Sequence, residues 1–265
     1  MVSVEKVSYW VQKNTLLKDV SFTVRPGELV VLLGANGAGK STLLKMLSGE
    51  KEPSMGCVKL DGLFLQDYHP TELARIRATL SQQVHVSMDF SVEEIVMMGR
   101  YPHYNGKPSD DDKRIVQETM DICSLDLIAN RSILTLSGGE QQRVHLARVL
   151  AQIWESPNAL LLVDEPTSAM DIQFQQLTLA ILKTLAEKGC MVIAAIHDMN
   201  LAAQYADRMI LLKNGRKFYD GTPEEVLTDR NIYTIFSVDV DITSHPFTLQ
   251  RQVFTRPYYI KEQAG

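Results

Sequence analysis

Apolar residues in this chain form short, nearly continuous runs, separated by turn signals and by segments with helical periodicity. The run at residues 28–33 leads into a glycine-rich loop, and further runs follow at 160–163 and 190–196. A strand that is apolar throughout needs a cover on both faces, which is typical of a parallel sheet flanked by helices. The second half of the chain predicts alternating elements, with strands at 160–163, 190–196 and 209–212 and helices at 172–187 and 200–206. This alternation indicates the α/β class.

Residues 85–152 have a different pattern, that of helices with one apolar side. Ser91 and Glu94 have the spacing of a capping box, and Ser109 precedes three aspartates that favour the positive end of a helix. A third helix is predicted after Ser137, because apolar residues recur there at helical spacing. We therefore predict a helical subdomain at 85–152, inserted into an α/β domain.

The other local signals are shorter. Strand patterns cover 2–33, a helical pattern covers 40–47, a hairpin pattern surrounds Asp61-Gly62, and residues 71–79 are compatible with one helix. Asn214-Gly215 predicts a second hairpin turn. Beyond a short helix predicted at 223–227, the pattern places no further element.

Composition and charge narrow the class of protein. The chain has 265 residues, of which 45% are hydrophobic, and a net charge of −5 that argues against nucleic-acid binding. No apolar stretch approaches the ~20 residues that a membrane-spanning helix requires, and the first residues lack the pattern of a secretory signal. The three cysteines are too widely spaced for a zinc site. We therefore expect a cytosolic protein that reaches a membrane only through a partner.

A phosphate-binding pattern lies at residues 34–41, which read Gly-Ala-Asn-Gly-Ala-Gly-Lys-Ser. The glycines let backbone N–H groups approach phosphate oxygens, and the helix that follows points its positive end at the same anion. Lys40 adds a positive charge for the outer phosphates, and the Ser41 hydroxyl is a suitable ligand for Mg²⁺. The loop also follows an apolar strand and precedes a helix, which is the context that this pattern requires.

Two acids, Asp164 and Glu165, follow the apolar run at 160–163. Ligands of open parallel sheets bind at the carboxyl ends of the strands, so both side chains are candidates for the same site. Asp164 is predicted to hold magnesium, directly or through water. Glu165 is predicted to act as a general base that activates a water molecule for attack on the bound phosphate. The alternative interpretation is that both acids cap the next helix, since Pro166-Thr167 begins a turn.

Leu136-Ser-Gly-Gly-Glu-Gln141 resembles the signature sequence of ABC-type ATPases, and the resemblance extends from about residue 4 to residue 247. Two glycines after Ser137, at a helix start, also form a second anion-binding site. The resemblance implies a P-loop NTPase fold, with a single nucleotide-binding domain over residues 1–265. Its expected parts are an N-terminal antiparallel β-subdomain and a RecA-like core, both within 1–84 and 153–265, and the helical subdomain at 85–152.

The same resemblance implies ATP and Mg²⁺ as cofactors and gives roles to further residues. His197 matches the switch histidine, which contacts the γ-phosphate and the attacking water. Gln82 matches the Q-loop glutamine, and a register shifted by one residue, to the adjacent Gln83, is the alternative. Asp171 matches an aspartate at the dimer interface, with helix capping as the alternative. In this family the signature of one subunit caps the γ-phosphate held by the other.

The predicted site residues form three groups. The catalytic residues are Glu165, His197 and Gln82, and the metal ligands are Ser41, Gln82 and Asp164. The nucleotide-binding residues are Gly34, Asn36, Gly37, Ala38, Gly39, Lys40, Ser41, Thr42, Ser137, Gly138, Gly139 and Asp171. Val11 is aligned with the aromatic residue that stacks on adenine in many family members, and the alternatives are that adenine stacks on the preceding Tyr9 or Trp10 or only packs on Val11.

Longer segments resemble a narrower group, the ATPase subunits of importers for iron siderophores, heme and cobalamin. The similarity lies in residues 90–103, 197–208 and 221–228, while 147–158 and His245-Pro246 look most like heme importers. The group implies a homodimer bound to two transmembrane permease subunits at the cytoplasmic face of the bacterial membrane, with a substrate-binding protein as an indirect partner and no nucleic acid. Uptake of a ferric siderophore or cobalamin, or a soluble ATPase without a membrane partner, are the alternatives.

Overall fold

The computed structural model describes residues 1–82, 87–168 and 170–257. Its strands are β1 (Val2–Val11), β2 (Asn14–Val24), β3 (Leu29–Leu33), β4 (Met55–Leu60), β5 (Leu63–Phe64), β6 (Arg77–Leu80), β7 (Leu160–Asp164), β8 (Met191–Ala195), β9 (Arg208–Lys213), β10 (Arg216–Gly221), β11 (Val240–Ser244) and β12 (Arg251–Thr255). Its helices are α1 (Lys40–Leu47), α2 (Pro70–Ile76), α3 (Val92–Met98), α4 (Asp110–Ile122), α5 (Gly138–Ile153), α6 (Ile172–Glu187), α7 (Met199–Tyr205), α8 (Pro223–Val226) and α9 (Asp229–Phe236). Within the described ranges, we find no helix with both the length and the apolar composition needed to cross a lipid bilayer.

Two sheets organise the fold. The larger has the strand order β10-β9-β3-β8-β7-β6, and its strands run parallel except for β10, which returns antiparallel to β9 after the Asn214-Gly215 turn. The smaller sheet, in the order β2-β1-β4-β5, is antiparallel. The predicted α/β class, with an antiparallel N-terminal sheet, is therefore confirmed.

The parallel strands send alternate side chains into two apolar layers. Val31 and Leu161 face the layer that contains α5 and α6, whereas Val30 and Leu162 face the layer of α1 and the smaller sheet. All four side chains are fully buried. The nearly continuous apolar runs of the sequence are a consequence of this double cover, because neither face of the strand meets water.

Helices α3, α4 and α5 pack against one another and follow β6 in the chain. Their starts at Ser91, Ser109 and Ser137 are those that the sequence predicts. Each serine forms a capping box, which is predicted from the sequence only for Ser91. At Gly99, where α3 ends, an added Cβ would lie 2.1 Å from the Arg148 carbonyl oxygen of α5, so the two helices approach as closely as glycine allows. The predicted boundary between residues 84 and 85 lies outside the described residues, as does Gln83.

A buried guanidinium joins these three helices. Arg100, just after α3, donates through Nε to the Asp112 carboxylate of α4 at 2.8 Å and through Nη1 to the Ala151 carbonyl of α5 at 2.8 Å. Both charged side chains are about as buried as the apolar core, with 4% and 5% exposure. Removing one partner of a buried ion pair typically costs ~3–5 kcal/mol, so this pair fixes the relative placement of the helices.

Two parts of the chain differ from the sequence-based expectation. Residues 71–79 do not form one helix, because α2 ends at Ile76 and 77–80 form the edge strand β6, which pairs in parallel with β7. Ala78 and Leu80 of this strand are buried and alternate with the half-buried Arg77 and Thr79. Beyond residue 227, where the pattern placed no element, α9 is followed by an antiparallel hairpin of β11 and β12.

Candidate functional site

The phosphate-binding pattern forms the loop between β3 and α1, at the carboxyl end of the central strands. Lys40 is only 6% exposed, and its Nζ donates to the Gly34 carbonyl at 2.7 Å and to the Ala35 carbonyl at 3.3 Å. Burial lowers the pKa of this lysine, while the nearby carboxylates of Glu165 and Asp164 act in the opposite direction. The amine is therefore held inside the loop, next to two acids that come from another strand.

Neighbouring elements hold the loop in place. Gly39, the cap of α1, has a φ of 102°, and a Cβ there would lie 2.9 Å from the Leu16 carbonyl of β2. The N–H of Gly215, in the β9–β10 turn, donates to the Ala38 carbonyl at 3.0 Å. Glycine is thus required where the smaller sheet crosses the loop, both for the left-handed backbone and for the close approach.

A cavity of about 460 Å³ opens above this loop. Most of the predicted nucleotide-binding residues line it, together with predicted catalytic residues from three other segments. The described lining residues are Leu16, Asn36, Gly37, Ala38, Gly39, Lys40, Ser41, Thr42, Gln82, Glu165 and His197.

Two of these side chains converge on the carboxylate of a third. Gln82 Nε2, after β6, donates to Glu165 Oε2, and His197 Nε2, after β8, lies in hydrogen-bond contact with Glu165 Oε1. Glu165 follows β7, and its own N–H donates to the Ala195 carbonyl of β8 at 3.1 Å. Three adjacent strands therefore deliver these groups to one point, although the residues are far apart in sequence.

Glu165 also has an unusual backbone. Its φ is +52°, in the left-handed region that costs a residue with a side chain about 1–3 kcal/mol. Such strain is characteristic of functional positions, where the surrounding structure fixes a side chain in a required direction. Here the conformation directs the carboxylate toward Gln82 and His197.

Asp164, the last residue of β7, is half-buried and is not among the described residues that line the cavity. Its Oδ1 is buried and has no hydrogen-bond partner within the part of the chain that the structure describes. Burial raises the pKa of Asp164, and Glu165 adds to this, whereas Ser41, Lys40 and His197 lower it. A carboxylate oxygen without a partner beside a serine hydroxyl suits a hard divalent cation such as Mg²⁺, which prefers oxygen ligands.

Other predicted residues lie elsewhere on the chain. Ser137, Gly138 and Gly139 begin α5, where Ser137 and Glu140 form a reciprocal capping box, and Ser137 is exposed. Asp171 caps α6 by accepting from the Phe174 N–H at 3.0 Å. Within the described residues these two helix starts do not line the cavity, and neither does Gly34 at the base of the loop.

One lining residue was missed at the sequence level. Leu16 of β2 reaches the cavity, whereas the predicted Val11 and its neighbours Tyr9 and Trp10 are not among the described lining residues. Val11 and Trp10 are instead 45% and 42% exposed near the β1–β2 turn. No local signal distinguishes Leu16 from other apolar strand residues, because its role depends on how the smaller sheet sits on the loop.

Comparison with known proteins identifies the family of the chain. A family model described as ABC transporter matches residues 17–168. The hemin import ATP-binding protein HmuV of Gloeobacter violaceus is 46% identical over 87% of this chain and 85% of its own, and that of Pseudomonas aeruginosa is 45% identical over 93% and 96%. A bacterial ABC transporter cassette solved as a dimer has a TM-score of 0.74 at 29% identity, over 84% of this chain and 99% of its own. The chain therefore belongs to the ABC transporter family.

Proposed function

We propose that this chain is the ATP-hydrolysing subunit of an ABC importer that takes up hemin. The observation that carries the proposal is the convergence of Gln82 and His197 on the Glu165 carboxylate, next to the phosphate-binding loop. A carboxylate held from two sides beside a triphosphate site suits the activation of a water molecule. The names of the relatives support the choice of hemin.

The loop would bind the phosphates of ATP. Backbone N–H groups of residues 34–41 and the start of α1 supply donors without competing side chains. Lys40 would turn from the carbonyls of Gly34 and Ala35 to the outer phosphates, exchanging weak partners for charged ones. Ser41, Asp164 and Gln82 would hold Mg²⁺, which when bound neutralises charge on the phosphates.

Glu165 would act as the general base. The two hydrogen bonds from Gln82 and His197 orient its carboxylate toward the cavity, where an attacking water would lie in line with the γ-phosphate. The side chain of Glu165 is 17% exposed and that of His197 is 44% exposed, so the histidine also faces the space that the γ-phosphate would occupy. Glu165 and His197 would therefore both act at the γ-phosphate.

The signature residues would complete the site of a second copy. Ser137 and Gly138 are exposed and Gly139 is half-buried at the start of α5, a 16-residue helix whose positive end attracts phosphate. They lie outside the cavity of their own chain, and a related cassette forms a dimer. Asp171 would contribute at the same interface. The working unit is then a homodimer with two ATP molecules between its subunits.

The segment of helices α3, α4 and α5 would transmit the cycle of ATP binding and hydrolysis to the membrane. Tyr101, between α3 and α4, is 59% exposed and offers an aromatic contact for a permease subunit. We infer a peripheral position at the cytoplasmic face of the bacterial membrane, with two permease subunits as direct partners and a substrate-binding protein as an indirect one. The net charge of −5 gives no reason to expect nucleic acid as a partner.

Growth of the source cell tests the proposal. The gene is deleted, and cells receive hemin, a ferric siderophore or cobalamin as separate supplements. We expect failure on hemin alone, rescued by the wild type and by Glu187→Gln, an exposed acid at the end of α6, but not by Glu165→Gln. Normal growth on hemin with failure on another supplement would refute hemin as the substrate. Rescue by Glu165→Gln would refute the catalytic role of Glu165.

A further inference from the structure

The C-terminal hairpin lies beyond residues 17–168, the part matched by the family model, yet it is packed against the main core. Val240 of β11 and Val253 of β12 are 6% and 7% exposed within the same apolar cluster as Ala202 and Ala203 of α7. Alanines on α7 allow β12 to approach the helix closely. The hairpin is therefore an integral part of the core beside α7.

One side chain ties this hairpin to α7 at two points. Asn200 Oδ1 accepts from the Val253 N–H at 2.8 Å, and Asn200 Nδ2 donates to the Val253 carbonyl at 3.2 Å. The amide thus pairs with β12 as a neighbouring strand would. A side-chain amide is well suited to this role, because it offers one acceptor and one donor in a single plane.

The helix that Asn200 anchors begins directly after His197. Asp198 caps it by accepting from the N–H groups of Asn200 at 2.8 Å and Leu201 at 3.0 Å. On the other side, the Ile196 N–H donates to the Leu32 carbonyl of β3 at 3.3 Å. The backbone of His197 is consequently fixed between the sheet and the first turn of α7.

The far end of α7 has a separate anchor. The Tyr205 hydroxyl contacts Gln176 of α6, and Gln250 Nε2 donates to the Gln204 carbonyl at 2.9 Å. A helix of seven residues has little stability of its own, so its position depends on such contacts. Asn200 supplies the contact nearest to His197, whereas Gln250 acts one helical turn further away.

We propose that Asn200 is a positioning residue, which uses the C-terminal hairpin to hold His197 against Glu165. The inference rests on the proposed role of His197 in ATP hydrolysis. It makes strand β12, through Val253, part of the support of the hydrolytic site. Loss of the Asn200–Val253 pair then lets the start of α7 shift, so that His197 spends less time in contact with Glu165 while ATP still binds to the loop.

Steady-state ATP hydrolysis by the full chain tests this inference. Asn200→Asp keeps the acceptor for the Val253 N–H but places an oxygen opposite the Val253 carbonyl, while an acid in the first turn suits the helix itself. We expect kcat to fall about three- to tenfold, the equivalent of losing one ordinary hydrogen bond, with the KM for ATP within about twofold of the wild type. Asn200→Ala should act in the same direction. The matched control, Gln250→Ala, should change kcat by less than about 1.5-fold, although it also loosens the hairpin from α7.

Several outcomes of these measurements would overturn the inference. Unchanged kcat in both Asn200 variants, an equal loss in Gln250→Ala, or a higher KM at constant kcat would show that the pair does not position His197. If neither Asn200 variant binds ATP, the pair belongs to the fold rather than to the site. A wild type without ATP hydrolysis would instead refute the proposed function, and the control measurement therefore separates the two failures.

Discussion

Replacing Glu165 by glutamine tests the proposed general base with little change of shape. The amide oxygen of the new side chain can still accept from Gln82, and its NH₂ group can donate to a neutral His197. The contact with Gln82 is therefore kept, and the contact with His197 is kept with donor and acceptor exchanged. What Glu165→Gln removes is one negative charge and the capacity to accept a proton.

The expected loss of ATP turnover is large because the substitution removes a group that acts in the chemical step. A positioned general base contributes about 10²–10⁴-fold to the rate, which corresponds to about 3–5 kcal/mol of activation free energy. Loss of one neutral hydrogen bond would account for only about 0.5–1.5 kcal/mol. A decrease of at least a hundredfold in turnover would thus distinguish a base from a side chain that merely orders its neighbours. ATP affinity should be equal or higher, because a negative charge near the phosphates has gone.

Phosphate release at saturating ATP and Mg²⁺ measures the turnover, and size-exclusion chromatography with ATP measures dimer formation. Glu187→Gln is the matched control, since its side chain is 62% exposed on α6 and should change neither quantity. Glu165→Gln should accumulate as an ATP-bound dimer. Turnover above a tenth of the wild-type value would refute the role of Glu165, and a variant that stays monomeric with ATP would refute the two-copy site.

Three other residues give predictions of binding and stability. Lys40→Ala should weaken ATP binding at least about tenfold by calorimetry, because a charged hydrogen bond contributes about 1.5–3 kcal/mol; unchanged affinity would remove Lys40 from the phosphate site. Gly99→Ala places a Cβ 2.1 Å from the Arg148 carbonyl and should lower the free energy of unfolding in urea by about 1–3 kcal/mol; an unchanged midpoint would contradict this close packing. Burial lowers the pKa of His145 to about 4, so the unfolded chain binds this proton more tightly, and the wild type should lose up to about 3 kcal/mol of stability as the pH falls from about 6.5 toward 4. His145→Met should not show that loss, and parallel stability curves for the two proteins over this range would be inconsistent with a buried neutral histidine.

The phosphate loop and the two acids of the candidate site were predictable because their sequence signals are local. The loop at 34–41 contains its glycines, lysine and serine in one contiguous segment, and Asp164 and Glu165 directly follow an apolar strand. The helix start at Ser91 was predicted correctly for the same reason, since its capping box lies within four residues. The starts at Ser109 and Ser137 were predicted from the aspartates and from the apolar spacing that follow them. The roles given to individual site residues stay predictions until variants are measured.

Features that depend on distant partners were not predictable. Strand β6 follows α2 without a turn signal, and only its pairing with β7 makes residues 77–80 extended. Leu16 belongs to the cavity because β2 crosses the phosphate loop, and the Asn200 side chain meets a strand 53 residues away in sequence. The left-handed backbone of Glu165 arises from its place between two strands, which no single stretch of sequence specifies.

The place of β8 in the larger sheet affects the order in which the chain folds during synthesis. β8 lies between β3 and β7, although it comes later in the sequence than both. Until β8 is inserted, the loop after β3 and the acids after β7 have no common sheet, and such non-local parallel pairing is a slow step of folding. On the ribosome the first 190 residues can therefore form separate pieces but not a complete site. A chain cut short before β8 carries the phosphate loop, both acids and the signature, yet lacks the strand that brings the loop and the acids together.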